Sequence, residues 1–169
     1  MVDEEIEAIA AEFSPEQQTN FLEVLSTRSS VIRDGFAYWD SLRQGEDTPR
    51  RKEFNPFDVP PLMPHMILIE VQQEPRDFRY RVIGSVVLDH VAKNLTDFWM
   101  SEIEHQKAPS RIWTSCNHVT ETCYPILSRI PYVGPDADFI YSEDVILPLL
   151  NDEREVVNLL TFVSYIRKE

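Results

Sequence analysis

Glycine is scarce, with four in 169 residues. A Gly-rich phosphate loop is excluded almost by that count. Cysteine is scarcer. Cys116 and Cys123 are too few for a disulfide framework and read as reduced thiols. No apolar run approaches the roughly 20 residues that would span a bilayer. Positive charge is short, with 16 Lys+Arg against 29 Asp+Glu and a net charge of −13. Phosphate backbones and anionic membranes are bound by clustered Lys and Arg, so neither nucleic acid nor membrane is an expected partner. The acidic start, MVDEEIEAIAAEF, lacks the basic n-region of a signal peptide, and a cytoplasmic location is expected.

What is present fits one domain. A chain of about 150 residues hides roughly 70% of its unfolded surface without staples. The acid is uneven. Residues 1–24 hold seven acids and no Lys or Arg, hence −7; the remaining 145 hold 22 acids and 16 bases, hence −6.

Ser14-Pro15-Glu16-Gln17 reads as a helix start, with Ser14 as cap, Pro15 at the first helical position and Gln17 closing a capping box. Helical periodicity runs to Gln44, and Gly45 is a C-terminal stop. Leu25, Ile32, Phe36 and Trp39 form the apolar stripe, widened by Leu22, Val31, Tyr38 and Leu42. Unbroken, such a helix would be about 45 Å long, so a kink near Gly35 or two helices is expected. Pro49, Pro56, Pro60, Pro61 and Pro64 then crowd into an extended connector without regular elements, pinned by Phe54, Phe57, Val59, Leu62 and Met63.

Strand signals follow. Met66–Val71 is a first strand and Glu74–Asp77 a turn. Residues 78–83 alternate, placing Phe78, Tyr80 and Val82 inward and Arg79 and Arg81 outward. Short helical patterns occupy 85–103. Pro109 opens a better helix with Ile112, Trp113, Cys116 and Val119 on one face. Three strands close the chain, about 122–133, 139–150 and 155–166, with Cys123 in the first. Pro125 and Pro131 have equal parity, which fits an edge strand. The last strand is apolar on both faces, with Val157, Leu159, Val163 and Tyr165 on one and Val156, Leu160, Phe162 and Ile166 on the other. It is therefore central. The pattern predicts an α+β fold, a five-stranded antiparallel sheet with short helices on one face and the N-terminal helix available for the other.

This layout resembles a PAS domain, whose strand order is 2-1-5-4-3. It is most similar to a single-domain bacterial PAS subfamily of alphaproteobacterial type. The residues that carry the likeness are Tyr38-Trp39, Leu42-Arg43 with Gly45, Pro49-Arg50, Asn55-Pro56-Phe57-Asp58-Val59-Pro60, Leu62-Met63-Pro64, residues 78–84, Asn94-Leu95-Thr96 and Leu147-Pro148-Leu149. Together they span roughly residues 30–166. Asp97 stands where glycine is usual, and Ala92-Lys93 where Gly-Arg is usual. The expected divisions are an acidic arm at 1–13, a flanking helix at 14–45, a Pro-rich connector at 46–64 and the PAS core at 65–167.

Cys116 and Cys123 are seven apart with His118 between them, which lacks the Cys-x2-4-Cys spacing and second ligand pair of a zinc site. Ser115-Cys116-Asn117 does not match the reactive-cysteine motif of flavin-binding PAS proteins. His118 falls off the apolar face of its helix, and with His105 is read as solvated or capping rather than haem-ligating. Haem and flavin are disfavoured, and no cofactor or metal is expected. Glu102, Glu104 and His105, Asp136/Asp138 and Glu143/Asp144 read as solvated turns. Ser85 and Ser110 lack a nucleophile-elbow context, so no catalytic residue and no enzyme activity are expected.

The resemblance implies a cavity between sheet and helices. Val82, His90, Trp99, Trp113, Cys116, Ile126 and Leu160 are its expected lining. Phe21, Leu25, Ile32, Phe36, Tyr38 and Trp39 form the expected dimer or partner surface, because they carry more apolar area than one sheet face hides. The leading expectation is a cytoplasmic sensory and regulatory module without its own output domain. It would signal by contact with another protein, such as a kinase or its regulator, and a small ligand would gate it. A homodimer is expected. The alternatives are a constitutive dimeric adaptor with a filled core and no ligand and, further off, a haem sensor or enzyme.

Overall fold

A computed structural model describes residues 28–132 and 134–168. The expected arm at 1–13, the helix start at Ser14, and Phe21, Leu22 and Leu25 lie outside them. The elements are α1 (Ser30–Leu42), three 3-10 turns (Arg51–Glu53, Pro56–Asp58, Pro60–His65), β1 (Met66–Gln72), β2 (Asp77–Ile83), α2 (Ser85–Leu88), a 3-10 turn (Met100–Glu102), α3 (Arg111–Thr122), β3 (Ile126–Pro131), β4 (Phe139–Leu150) and β5 (Val156–Arg167). The sheet is antiparallel, in the order β2-β1-β5-β4-β3. This is the expected PAS order, with β5 central and β3 at an edge.

The two sheet faces are covered differently. α1 starts at Ser30 because Ser29 is extended and its hydroxyl accepts from Ile32 N. The helix lies against β4 and β5. Ile32, Phe36 and Trp39 are fully buried there. The chain is not helical at Ser29, so no helix runs unbroken from Ser14 to Gln44. Gly35 introduces no break. It sits mid-helix against Phe162, where an added Cβ would fall 2.5 Å from Cδ2 of the ring. On the opposite face, α3 packs over β2, β4 and β5. Ser110 caps α3 by accepting from Trp113 N.

Several local expectations are corrected. The Pro-rich connector is not devoid of elements. It forms three 3-10 turns, since proline is tolerated in a first turn, where its missing N–H has no partner to lose. Phe54 and Leu62 pin it, but Phe57 is 75% exposed. Cys123 does not start a strand. It ends α3 in the left-handed region (φ 61°), donating its N–H to Val119 O, and β3 begins only at Ile126. Asp97, at the position where the family favours glycine, has φ 72°. Asp tolerates that region better than most residues.

A bulge overturns the inward reading of Val82. Leu68 pairs with Val82 and Ile69 with Tyr80, so Arg81 is the extra residue. Strand parity is therefore reversed beyond it. Phe78 and Tyr80 face α3, whereas Val82 faces the other way and is 48% exposed.

Candidate ligand and partner sites

The compartment between the sheet and α3 is built by β2, β3, β5 and α3. The Phe78 and Trp113 rings meet edge-on with centroids 5.8 Å apart. Beside them Tyr80 donates its hydroxyl to Gln106 Oε1 at 2.6 Å. Burial pushes the Tyr80 phenol well above the ordinary tyrosine value, and the neighbouring Cys116 adds to the effect. Cys116 is fully buried. Its thiol is likewise pushed far up by burial, with the Asp144 carboxylate adding to the shift. Both groups are thus held neutral. Ile126 closes the β3 side.

One polar group in this compartment is left over. Thr161 pairs in register with Ile67 and Ile146, which places it on the α3 face of β5. Its Oγ1 is buried and has no hydrogen-bond partner among the described residues. An unsatisfied buried hydroxyl costs about 1–3 kcal/mol. A water or a polar ligand atom would remove that cost.

Outside this compartment lies a half-open cleft of about 720 Å³, a size that suits a small molecule. The segment 90–106 forms one wall and the Gly134-Pro135 turn the other. Phe98 and Ile103 supply apolar surface; His90, Lys93 and His105 bring cationic or imidazole groups. His90 closes one end. Its Nδ1 is 2.7 Å from the Tyr132 hydroxyl, and its ring stacks on Tyr165 at 3.9 Å, with Phe139 edge-on at 4.7 Å. Burial raises the Tyr165 phenol to about 12, aided by Tyr132 and Asp144.

Of the residues expected to line the pocket, Trp113, Cys116 and Ile126 are brought together beneath α3, and His90 borders the cleft. Three are elsewhere. Val82 is on the far face, as the bulge dictates. Trp99 lies outside the β2 edge, where residues 97–99 pair with β2 and the Arg79 guanidinium stacks on its ring at 4.9 Å. Leu160 is buried but shares the face of Phe162, under α1. Tyr80, Gln106 and Thr161 are absent from that expected lining. Tyr80 carries a readable signal in its inward parity, but nothing local marks the other two.

The expected partner surface is also redistributed. Ile32, Phe36 and Trp39 are spent on the chain's own sheet, and the Trp39 indole donates to Pro148 O at 2.9 Å. Tyr38 is half-buried, with its hydroxyl donating to Asn55 O at 3.0 Å. A buried charge cluster anchors the start of α1. Glu143 on β4 accepts from Arg28 Nη1 at 3.0 Å, Arg129 Nη2 at 3.2 Å and Ser29 N at 3.2 Å. Arg28 and Glu143 are 5% and 2% exposed. His118 is half-buried and turns Nε2 into the protein, where it has no hydrogen-bond partner among the described residues.

Among the described residues no cluster of three or more His, Cys, Asp or Glu could hold a metal ion. Among them, too, no helix is long and apolar enough to cross a membrane.

The model of a family described as PAS domain matches residues 27–164. No curated protein matches the chain. Among solved structures, the chain is similar to a sensory box sensor histidine kinase from Vibrio cholerae, at 9% identity, with a TM-score of 0.47 over 67% of this chain and 92% of that one.

Proposed function

The chain belongs to the PAS-domain family, whose members are sensory modules, and on that premise we propose that it signals by protein contact through α1 and the sheet face beneath it, gated by a small ligand on the opposite face. The observation that carries the reading is the two-sidedness of β5. Thr161, with its unsatisfied hydroxyl, and Phe162, pressed against Gly35, are adjacent residues facing opposite compartments. A ligand that engages Thr161 displaces the strand on which α1 rests. A packed interior transmits such a shift instead of absorbing it. The ligand then favours one packing of α1, and a partner reads that packing. The expected partner is a signalling protein such as a kinase or its regulator, and a homodimer formed through the N-terminal region is part of the reading. PAS domains are generally sensory rather than catalytic, and no reaction is assigned.

The test is native mass spectrometry of the purified protein, joined to hydrogen exchange. A retained small molecule, lost on denaturation and depleted in a Thr161→Val variant, is expected. Its removal should change amide protection in Ser30–Leu42. Unchanged protection there on removal would sink the gating mechanism. The adaptor reading draws on the interior filled by Phe78, Tyr80 and Cys116. It predicts no retained molecule and partner capture that does not depend on one. An absorption spectrum after cofactor supplementation checks haem and flavin, and light scattering checks the dimer.

A further inference from the structure

The cleft between residues 90–106 and the Gly134-Pro135 turn lies outside the compartment that holds Thr161, and its polar groups divide into free donors and engaged acceptors. Lys93 is the first free donor. Its ammonium sits over the Phe98 ring, 4.4 Å from the centroid, and no carboxylate holds it among the described residues. The ring face attracts the charge weakly and accepts none of the three N–H groups as a carboxylate would.

His90 is the second. The Tyr132 oxygen accepts from Asp136 N at 3.3 Å, and the same hydroxyl lies 2.7 Å from His90 Nδ1. Nδ1 is the one acceptor within reach of the Tyr132 proton among the described residues. With that proton on Nδ1's lone pair, a neutral imidazole carries its own hydrogen on Nε2. Nε2 has no partner among the described residues and is not sealed from solvent, so this N–H is available. The carboxylates of the same wall are turned to the chain itself. Glu102 Oε2 accepts from Trp99 N at 2.9 Å, and the Glu104 side chain, 89% exposed, pairs with Lys107 at 2.9 Å. Leu95, Phe98 and Ile103 supply the apolar part of the lining.

We propose that this cleft binds a small organic carboxylate with an apolar body, Lys93 holding the carboxylate, His90 Nε2 a further donor to it, and Leu95, Phe98 and Ile103 receiving the body. One fixed positive charge matches a monoanion. A phosphate takes more, in clustered Arg or Lys, than the cleft offers. A cation is repelled by Lys93, and a neutral molecule would cover the ammonium without a counter-charge. The site is separate from the gate proposed at Thr161 and does not depend on it.

The probes are 4-phenylbutyrate, its amide and butyrate, added to the full chain at neutral pH and followed by amide NMR shifts. The acid should saturate below about 10 mM and bind about tenfold or more tightly than the amide or butyrate. Its shifts should centre on residues 90–106 and 134–135. Lys93→Gln, at an exposed position, should weaken the acid about tenfold and leave the amide unchanged. Thr161→Val should leave the acid's affinity as it was, which separates this test from that of the gate. Equal affinities for acid and amide would overturn the proposal, as would a failure to saturate or a Lys93→Gln variant that binds the acid like the parent. Shifts centred beneath α3, or affinity lost in Thr161→Val, would put the acid in the Thr161 compartment and overturn it too.

Discussion

Gly35 of α1 and Phe162 of β5 are in direct contact, with room for a hydrogen on the Gly35 Cα and none for a methyl group. Gly35→Ala should therefore act against its helix propensity, which favours alanine by about 1 kcal/mol. Overpacking costs about 1–3 kcal/mol, so a net loss in chemical denaturation is expected. Shortening the partner with Phe162→Leu should recover part of it. A Gly35→Ala variant more stable than the parent would show that the ring moves aside freely.

Glu143 holds the buried Arg28 and the partly exposed Arg129. Replacing it by Gln removes the counter-charge it gives the buried Arg28, and a loss of about 3–5 kcal/mol is expected. Arg28→Met should cost less, because Arg129 still pairs Glu143. A double-mutant cycle should give a coupling well above the usual surface pair. Additive losses would mean that the pair contributes little.

Asp97 adopts φ 72° at an exposed site and pairs with Arg81. Asp97→Gly removes about 1 kcal/mol of conformational strain and an exposed ion pair of similar or smaller value. The expected thermal shift is near zero or upward. Asp97→Val, β-branched and in the same conformation, should lower the melting temperature by several degrees. Equal melting temperatures for Gly and Val would refute the conformational explanation.

The two thiols should separate under alkylation of the native protein. Cys116 is fully buried and its thiolate strongly disfavoured by burial. Cys123 is half-buried, its pKa raised by burial but lowered in part by Thr48 and Arg154. At pH 8 one thiol should react at a measurable rate and the second only on unfolding. Peptide mapping should place the first label on Cys123. Comparable rates would show that the compartment beneath α3 opens readily.

Alkaline pH should unfold the protein. The Tyr165 phenol titrates near 12 in the fold, and Tyr80 is pushed up further. Both raised values favour the neutral phenol, so their stabilisation is complete below pH 10. It is lost as pH climbs from 10, where unfolded tyrosine ionises, towards the folded values. A fully buried tyrosine contributes at most about 1.4 kcal/mol per pH unit over that window. The part of the tyrosinate absorbance that is missing from a Tyr80→Phe/Tyr165→Phe variant should rise together with loss of ellipticity above pH 10. That part appearing without unfolding would contradict the burial of these two phenols.

The fold was legible where a pattern spans whole elements. Two-sided apolarity marked β5 as central, and proline parity marked β3 as an edge, because burial acts on every residue of a strand. The stripe of Ile32, Phe36 and Trp39 marked the buried face of α1 for the same reason. The site was less legible because single-residue events decide it. One extra residue at Arg81 turned Val82 outward. The pairing of residues 97–99 with β2 carried Trp99 to the sheet margin. Leu160 sits on a strand buried on both sides, where apolarity says nothing about which compartment a residue enters. Thr161 became notable only through what it lacks, a partner, which no linear pattern reveals.

The segment between β2 and α3 has a consequence for engineering. It meets the sheet margin through hydrogen bonds of Tyr80 N to Phe98 O and of Asp97 N to Tyr80 O. It also supplies most of the cleft wall. Scaffold and cleft wall are thus drawn largely from different stretches of chain. Residues 84–110 form a natural cassette for chimeras, exchangeable with the same stretch of another PAS domain while the α1–β5 contact stays intact. The cleft wall could then be varied without touching the α1–β5 contact.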